Sequence, residues 1–191
     1  MLYEILIILI LILANGAFSM AEMAVVSSRK ARLRQMADSG DKGAAVALDL
    51  ISNSNQFLSA VQTGVTLMAT LIGAFGGATL SDELAGYLLG LYPALGQFSH
   101  GLALALVVLS ITFVSLVIGE LVPKRIALSN PERIASWSAS PLNAFSKIVY
   151  PLILLLSKST EFVLQALGVN SNAEPEVTEE EIRIMIDQGT M

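Results

Sequence analysis

The chain has no cysteine and a single histidine, His100. Disulfides are excluded, and too few soft ligands remain for a zinc, copper or iron–sulfur centre. Charge is scarce: Asp, Glu, Lys and Arg make up 14% of the 191 residues, against about 25% in an ordinary soluble domain. Such a chain cannot cover itself with polar surface in water. No GxSxG elbow, HExxH helix or phosphate-binding loop occurs, so no enzymatic activity is expected. There is no basic stripe of the kind that grips nucleic acid, so no nucleic-acid partner is expected either.

Apolar residues fill the space: 54% of the chain is hydrophobic, and the mean hydropathy is +0.68. The net charge of −5 comes from the last stretch, EPEVTEEEIRIMID, and the remainder is near neutral. A spanning helix needs roughly 20 apolar residues. Segments at 2–27, 57–80 and 101–122 meet that length. The first lacks a basic leader region and carries Glu4, Asn15, Ser19 and Glu22. It therefore reads as a retained helix and not as a cleaved signal.

Arg29, Lys30, Arg32, Arg34 and Lys42 follow the first segment, and Lys124, Arg125 and Arg133 follow the third. The connection SDELAGYLLGLYPALGQFSH has neither Lys nor Arg. The positive-inside rule then predicts three spans with the N-terminus outside and the C-terminus in the cytoplasm. A fourth apolar stretch, 141–168, is interrupted by Lys147 and Lys158 on one helical face and contains Pro151. It is expected to lie in the cytoplasmic interface or re-enter, with a full span as the alternative. The loop from Ser27 to Asn55 reads as two short amphipathic helices broken at Gly40, with Leu33, Met36, Val46, Leu50 and Ile51 needing cover. Thr178 with Glu181 forms a capping box that opens a further helix. The expected class is thus an all-α membrane protein. Its transmembrane domain covers 1–170, and 171–191 is an acidic linker and the cut beginning of a cytoplasmic domain.

Polar residues inside the spans are few and aligned. Asn15, Ser19 and Glu22 share one face of the first helix. Thr63, Thr66, Thr70 and Gly73 share a face of the second, while Thr112, Ser115 and Gly119 share one on the third, with Glu120 beside it. Lipid-facing stripes would be unfavourable, so the three should converge on an interior cavity. Single Ser and Thr residues in membrane helices often only bond the carbonyl one turn back. Carboxylates have fewer such outlets, although Glu120 has Lys124 one turn away as a salt-bridge partner. The donors are all oxygen, which suits a small hard cation or a proton, and the residues alone do not choose the ion.

At this point a resemblance is carried by GELVPKRIALSNPERIA (Gly119–Ala135), FSMAEMAVVSSRKARLRQMA (Phe18–Ala37) and FLSAVQTGVTLMATLIGAFGGATL. These segments resemble the transmembrane domain of the CorC / cyclin M (CNNM) magnesium transporters. The tail from Glu174 is similar to that family's lead-in to paired CBS domains. The resemblance implies a homodimer of three-helix protomers with a juxtamembrane belt helix, in the plasma membrane. It also implies a magnesium site between the helices, open to the cytoplasm. By position, Ser19 matches the first-helix hydroxyl ligand and Glu120 the acidic ligand, with Gly119 adjacent. The family's asparagine motif in the second helix is absent here, since Val65 and Thr66 follow Gly64. Thr66 is the expected substitute, with Thr63 and Thr70 behind it. The candidate metal ligands are therefore Ser19, Glu22, Thr63, Thr66, Ser115, Gly119 and Glu120. The expected function is magnesium efflux coupled to sodium entry. Export of polyamines such as cadaverine or putrescine is the first alternative, and a non-transporting anchor or sensor for a nucleotide-binding module is the second.

Overall fold

The computed structural model describes residues 2–168, and every regular element among them is helical. In chain order these are α1 (Leu2–Ser27), α2 (Lys30–Asp38), α3 (Lys42–Ser52), α4 (Ser54–Phe75), α5 (Ser81–Leu91), α6 (Phe98–Leu116), α7 (Val122–Ser129) and α8 (Pro131–Ala166). A π-turn at Gly76–Leu80 links α4 to α5, and another at Val117–Leu121 links α6 to α7. Four helices are long and apolar enough to cross a membrane: Tyr3–Ser27, Ser54–Phe75, Phe98–Ser129 and Pro131–Ala166. One compact unit runs from Met1 to Ile153, and a second begins at Leu154. The capping box at Thr178 and the acidic lead-in lie outside the described residues.

The first span matches the expected segment. The second expected segment, 57–80, falls on α4 and the π-turn that ends at Leu80; helix then runs on through α5 to Leu91, so most of the connection read as loop is helical. Asp82 and Glu83 sit in the first turn of α5, where the helix dipole favours acid. No proline intervenes until Pro93, ahead of which Tyr92 turns extended at φ −136°. The fourth stretch also begins earlier, at Pro131, which suits the first position of a helix because its missing N–H needs no partner there. Pro141 and Pro151 lie inside α8 without ending it.

The two short amphipathic helices appear as expected. α2 closes with a Schellman motif: the Asp41 N–H donates to the Met36 carbonyl at 3.1 Å and the Gly40 N–H to the Ala37 carbonyl at 2.9 Å. Gly40 takes φ +99°, a conformation open to glycine and strained for other residues. Asp41 then caps α3, accepting from the Ala44 N–H at 3.1 Å. The Ser136 hydroxyl of α8 donates to both Asp41 oxygens, at 2.8 and 2.9 Å. These bonds hold the Asp41 carboxyl below its usual value, with the Ser136 bond the largest cause. Glu132, buried in the first turn of α8, accepts from the Arg29 N–H at 3.3 Å and lies 3.7 Å from the Arg32 guanidinium.

The main core joins α1, the α2–α3 pair, α4, α7 and the start of α8. Ala21, Ala24, Ala44, Ala47, Ala127, Ala135 and Ala139 supply much of it, around Leu33, Leu50, Phe57 and Val61. Small residues let helices approach closely where lipid provides no hydrophobic drive between them. Gly64 shows the same logic, because a Cβ there would stand 3.0 Å from Phe18 and 3.1 Å from Phe145. Those two rings meet edge to face at 4.8 Å. Large apolar side chains such as Leu6, Leu13, Leu109 and Phe113 remain exposed, as a lipid-facing surface requires.

Candidate functional site: an oxygen-lined cavity at a π-turn

Pro123 explains the local geometry around Glu120. A proline has no N–H for the carbonyl four residues back, which here belongs to Gly119. The helix widens into the π-turn Val117–Leu121 ahead of it, a distortion that often accompanies function. The Asn15 side chain of α1 supplies the missing donor: its Nδ2 donates to the Gly119 carbonyl at 3.0 Å, and the bond is buried. Close approach of the two backbones makes this possible. A Cβ on Gly119 would lie 3.2 Å from Asn15 Nδ2 and 3.3 Å from the Ile12 carbonyl. A Cβ on Gly16 would lie 3.1 Å from the Pro123 ring and 3.2 Å from the Ile118 carbonyl.

Beside this junction lies a cavity of about 260 Å³. Its polar lining comes from Asn15, Thr112, Ser115 and Glu120. Val65, Ile72, Ile111 and Leu116 contribute apolar wall. Two of the oxygens are buried without a hydrogen-bond partner, Asn15 Oδ1 and Ser115 Oγ. With Nδ2 committed to Gly119, the amide leaves its other end unsatisfied. Buried polar atoms normally find partners, and both of these belong to residues that line the cavity.

Glu120 is half-buried. Its Oε1 accepts from Lys124 Nζ at 2.7 Å, one helical turn on. That ion pair offsets the cost of a carboxylate at the end of an apolar run. The remaining candidates are distributed more widely. Ser19 is buried at 1% exposure, one turn beyond Asn15 on α1, and Glu22 is half-buried on the same helix. Neither lines the Glu120 cavity, and neither do Thr63 and Thr66. The Thr63 hydroxyl donates to the Ser59 carbonyl at 2.7 Å, and Thr70 to the Thr66 carbonyl at 2.8 Å, the one-turn back-bond common in membrane helices. On α4 the cavity is reached by Val65, Ala69, Ile72 and Gly73 instead. Among the described residues no group of three or more His, Asp or Glu is close enough to hold a metal without other oxygens.

The structure thus defines a multi-pass, all-helical membrane domain with one carboxylate among the residues that line a largely apolar cavity between its helices. Residues 6–191 match the model of the cyclin M transmembrane N-terminal domain, and the chain belongs to that CNNM family. It is 47% identical to UPF0053 protein sll0260 of Synechocystis over 97% of this chain and 41% of that protein. It is 33% identical to UPF0053 protein YugS of Bacillus subtilis, over 99% of this chain and 44% of that one. A more distant relative is the polyamine export protein of Haemophilus influenzae, 26% identical over 98% of this chain and 43% of its own length. The chain spans less than half the length of these relatives.

Proposed function

We propose that this domain binds and moves magnesium through the Glu120 cavity, as an efflux pathway coupled to sodium entry. The observation that carries the reading is the pair of unsatisfied buried oxygens, Asn15 Oδ1 and Ser115 Oγ, in the wall that also holds Glu120. One carboxylate with neutral oxygens suits magnesium, which keeps several of its own waters and rarely takes an all-protein cage. Ser19, Glu22, Thr63, Thr66 and the Gly119 carbonyl complete the set along the approach from the basic face. In this reading α1, α4 and the α6–α7 helix cross the plasma membrane, the Arg29–Lys42 segment is cytoplasmic, and α8 carries Lys147 and Lys158 along the cytoplasmic interface. Two protomers associate through the membrane domain, and a cytoplasmic CBS-type module follows.

The test is flux in proteoliposomes made with the full-length protein. Magnesium release is expected from the wild type and lost in Glu120→Gln, with unchanged gel-filtration behaviour. Equal flux in both proteins would overturn the reading. A second substrate has specific support: the Haemophilus relative is named for polyamine export, and Val65, Ile72, Ile111 and Leu116 offer a wall for methylene groups beside the carboxylate. Putrescine efflux without magnesium efflux would select it. Absence of flux for either cation would leave the anchor role.

A further inference from the structure

A second cavity, an apolar slot of about 170 Å³, lies between α1 and α8. None of its lining residues belongs to the Glu120 cavity. Ala17 and Ala21 line it on α1, and two methyl side chains one turn apart leave that helix surface recessed. Phe18 and Phe145, the edge-to-face pair, line it as well. From α8 come Trp137 and Pro141. Trp137 is 73% exposed beside this slot.

The two helices run in opposite senses past the slot. Phe145 of α8 meets Phe18 of α1, while Glu132, at the start of α8, meets the Arg29 N–H just past the end of α1. At 1.5 Å per residue, Ala21 lies about 9 Å along α1 from Ser27, and Trp137 about 9 Å along α8 from Pro131. With the basic segment at the headgroups, the slot falls at the top of the acyl chains. The charges at this end are unevenly committed. Glu132 accepts from Arg29 and lies 3.7 Å from Arg32. Arg133 is exposed, stands one turn before Trp137 on the same helical face, and makes no ion pair among the described residues.

We propose that this slot is a binding site for one anionic phospholipid, with an acyl chain against Ala17 and Ala21, Trp137 beside the glycerol, and Arg133 on the phosphate. A wall of methyl groups and rings takes a hydrocarbon chain and offers nothing to a hydrated ion. Tryptophan suits a place that is apolar on one side and wet on the other. A guanidinium can grip a phosphate with two parallel hydrogen bonds. Net charge then selects the lipid: a choline headgroup brings its own cation to the phosphate, whereas a glycerol headgroup leaves the negative charge to Arg133. Basic side chains at the mouth of a gap between membrane helices recognise anionic headgroups in this way. The inference goes beyond the transport reading and does not depend on it.

Trp137 is the one tryptophan of the 191 residues, which makes it a built-in reporter. The full-length protein is placed in vesicles of mixed phosphatidylglycerol and phosphatidylcholine, with bromine on the acyl chains of one lipid or the other. Subtracting the emission of Trp137→Phe isolates the Trp137 signal. Brominated phosphatidylglycerol should quench that signal at least twofold more than brominated phosphatidylcholine at equal mole fraction. Arg133→Gln should remove the preference, and Ala17→Leu, which fills the recess at an exposed position, should do the same. Lys30→Gln, an equal loss of charge at an exposed site on α2, should leave it intact. Equal quenching by the two lipids in the wild type overturns the site. So does a preference that survives Arg133→Gln or Ala17→Leu, or one that Lys30→Gln abolishes as well, since the attraction is then diffuse. The readout involves no flux, so its failure leaves the transport reading standing, and loss of flux leaves the lipid site standing.

Discussion

At the scale of single residues, the site turns on Asn15 and its pairing with Gly119. Its Nδ2 satisfies a carbonyl that Pro123 leaves without a helical donor, and its Oδ1 is buried without a partner in a residue that lines the cavity. Asn15→Leu removes both functions. Leaving a buried carbonyl unpaired costs about 1–3 kcal/mol, so the melting temperature in detergent should fall together with flux. An unchanged melting temperature would mean that the bond contributes nothing. Lys124 is the second residue of interest, because its ammonium holds the Glu120 oxygen a cation would take. Lys124→Gln should tighten magnesium binding, read by isothermal titration, and a weaker affinity would show Lys124 to be structural support. Asn15 was visible in the sequence as part of a polar stripe, yet its role was not. The hydrogen bond spans 104 positions, and no local pattern reports which amide finds a carbonyl freed by a distant proline.

At the scale of elements, the α2–α3 pair shows how a short segment is docked. Asp41 caps α3 and accepts from Ser136 of α8. Its carboxyl is held below the usual value of 3.8. A depressed folded value means the contribution is fully present above that number and lost as pH falls through the lower folded one. Acid should therefore loosen the α3–α8 contact below about pH 3.8, and Ser136→Ala should reduce this pH dependence of melting. Hydrogen exchange at α3 amides would read the same loosening locally. Gly40→Ala forces a side chain into a left-handed backbone and should cost on the order of 1–2 kcal/mol. The break at Gly40 and the cover over Leu33 and Leu50 were legible in the sequence, because both follow from helical periodicity and one glycine. The extension of helix to Leu91 was less so: a stretch without Lys or Arg marks a side of the membrane, not a conformation.

At the scale of the whole molecule, four helices have the length and apolarity to cross a bilayer, and the proposed arrangement uses three crossings. Single cysteines at Ser39 and Tyr92, both exposed, would separate the two faces. Ser39→Cys should be labelled only from the cytoplasm and Tyr92→Cys only from outside. Labelling of both from one side would overturn the crossing of α4. The α8 helix needs its own test, since at about 1.5 Å per residue its 36 residues exceed a bilayer core of roughly 30 Å. A cysteine at Ser159, labelled from the cytoplasm, would place its far end on the same side as its start. Labelling from outside would make α8 a fourth span.

The sequence by itself determined the class of molecule. Hydropathy over some twenty residues, the scarcity of charge and the basic loops are additive properties of local composition, and the GELVPK segment already resembled the family to which the chain belongs. It also singled out Glu120, because a carboxylate in an apolar run stands out without any coordinates. Only the tertiary structure decided its company. Periodicity aligned Ser19, Thr63 and Thr66 on helix faces, but the rotation of each helix about its axis depends on close contacts at Gly16, Gly119 and Gly64. In the packed bundle it is Asn15, Thr112 and Ser115 that line the cavity with Glu120. Helical phase is a short-range property of the chain, whereas the pairing of faces is decided where two backbones meet with nothing between them.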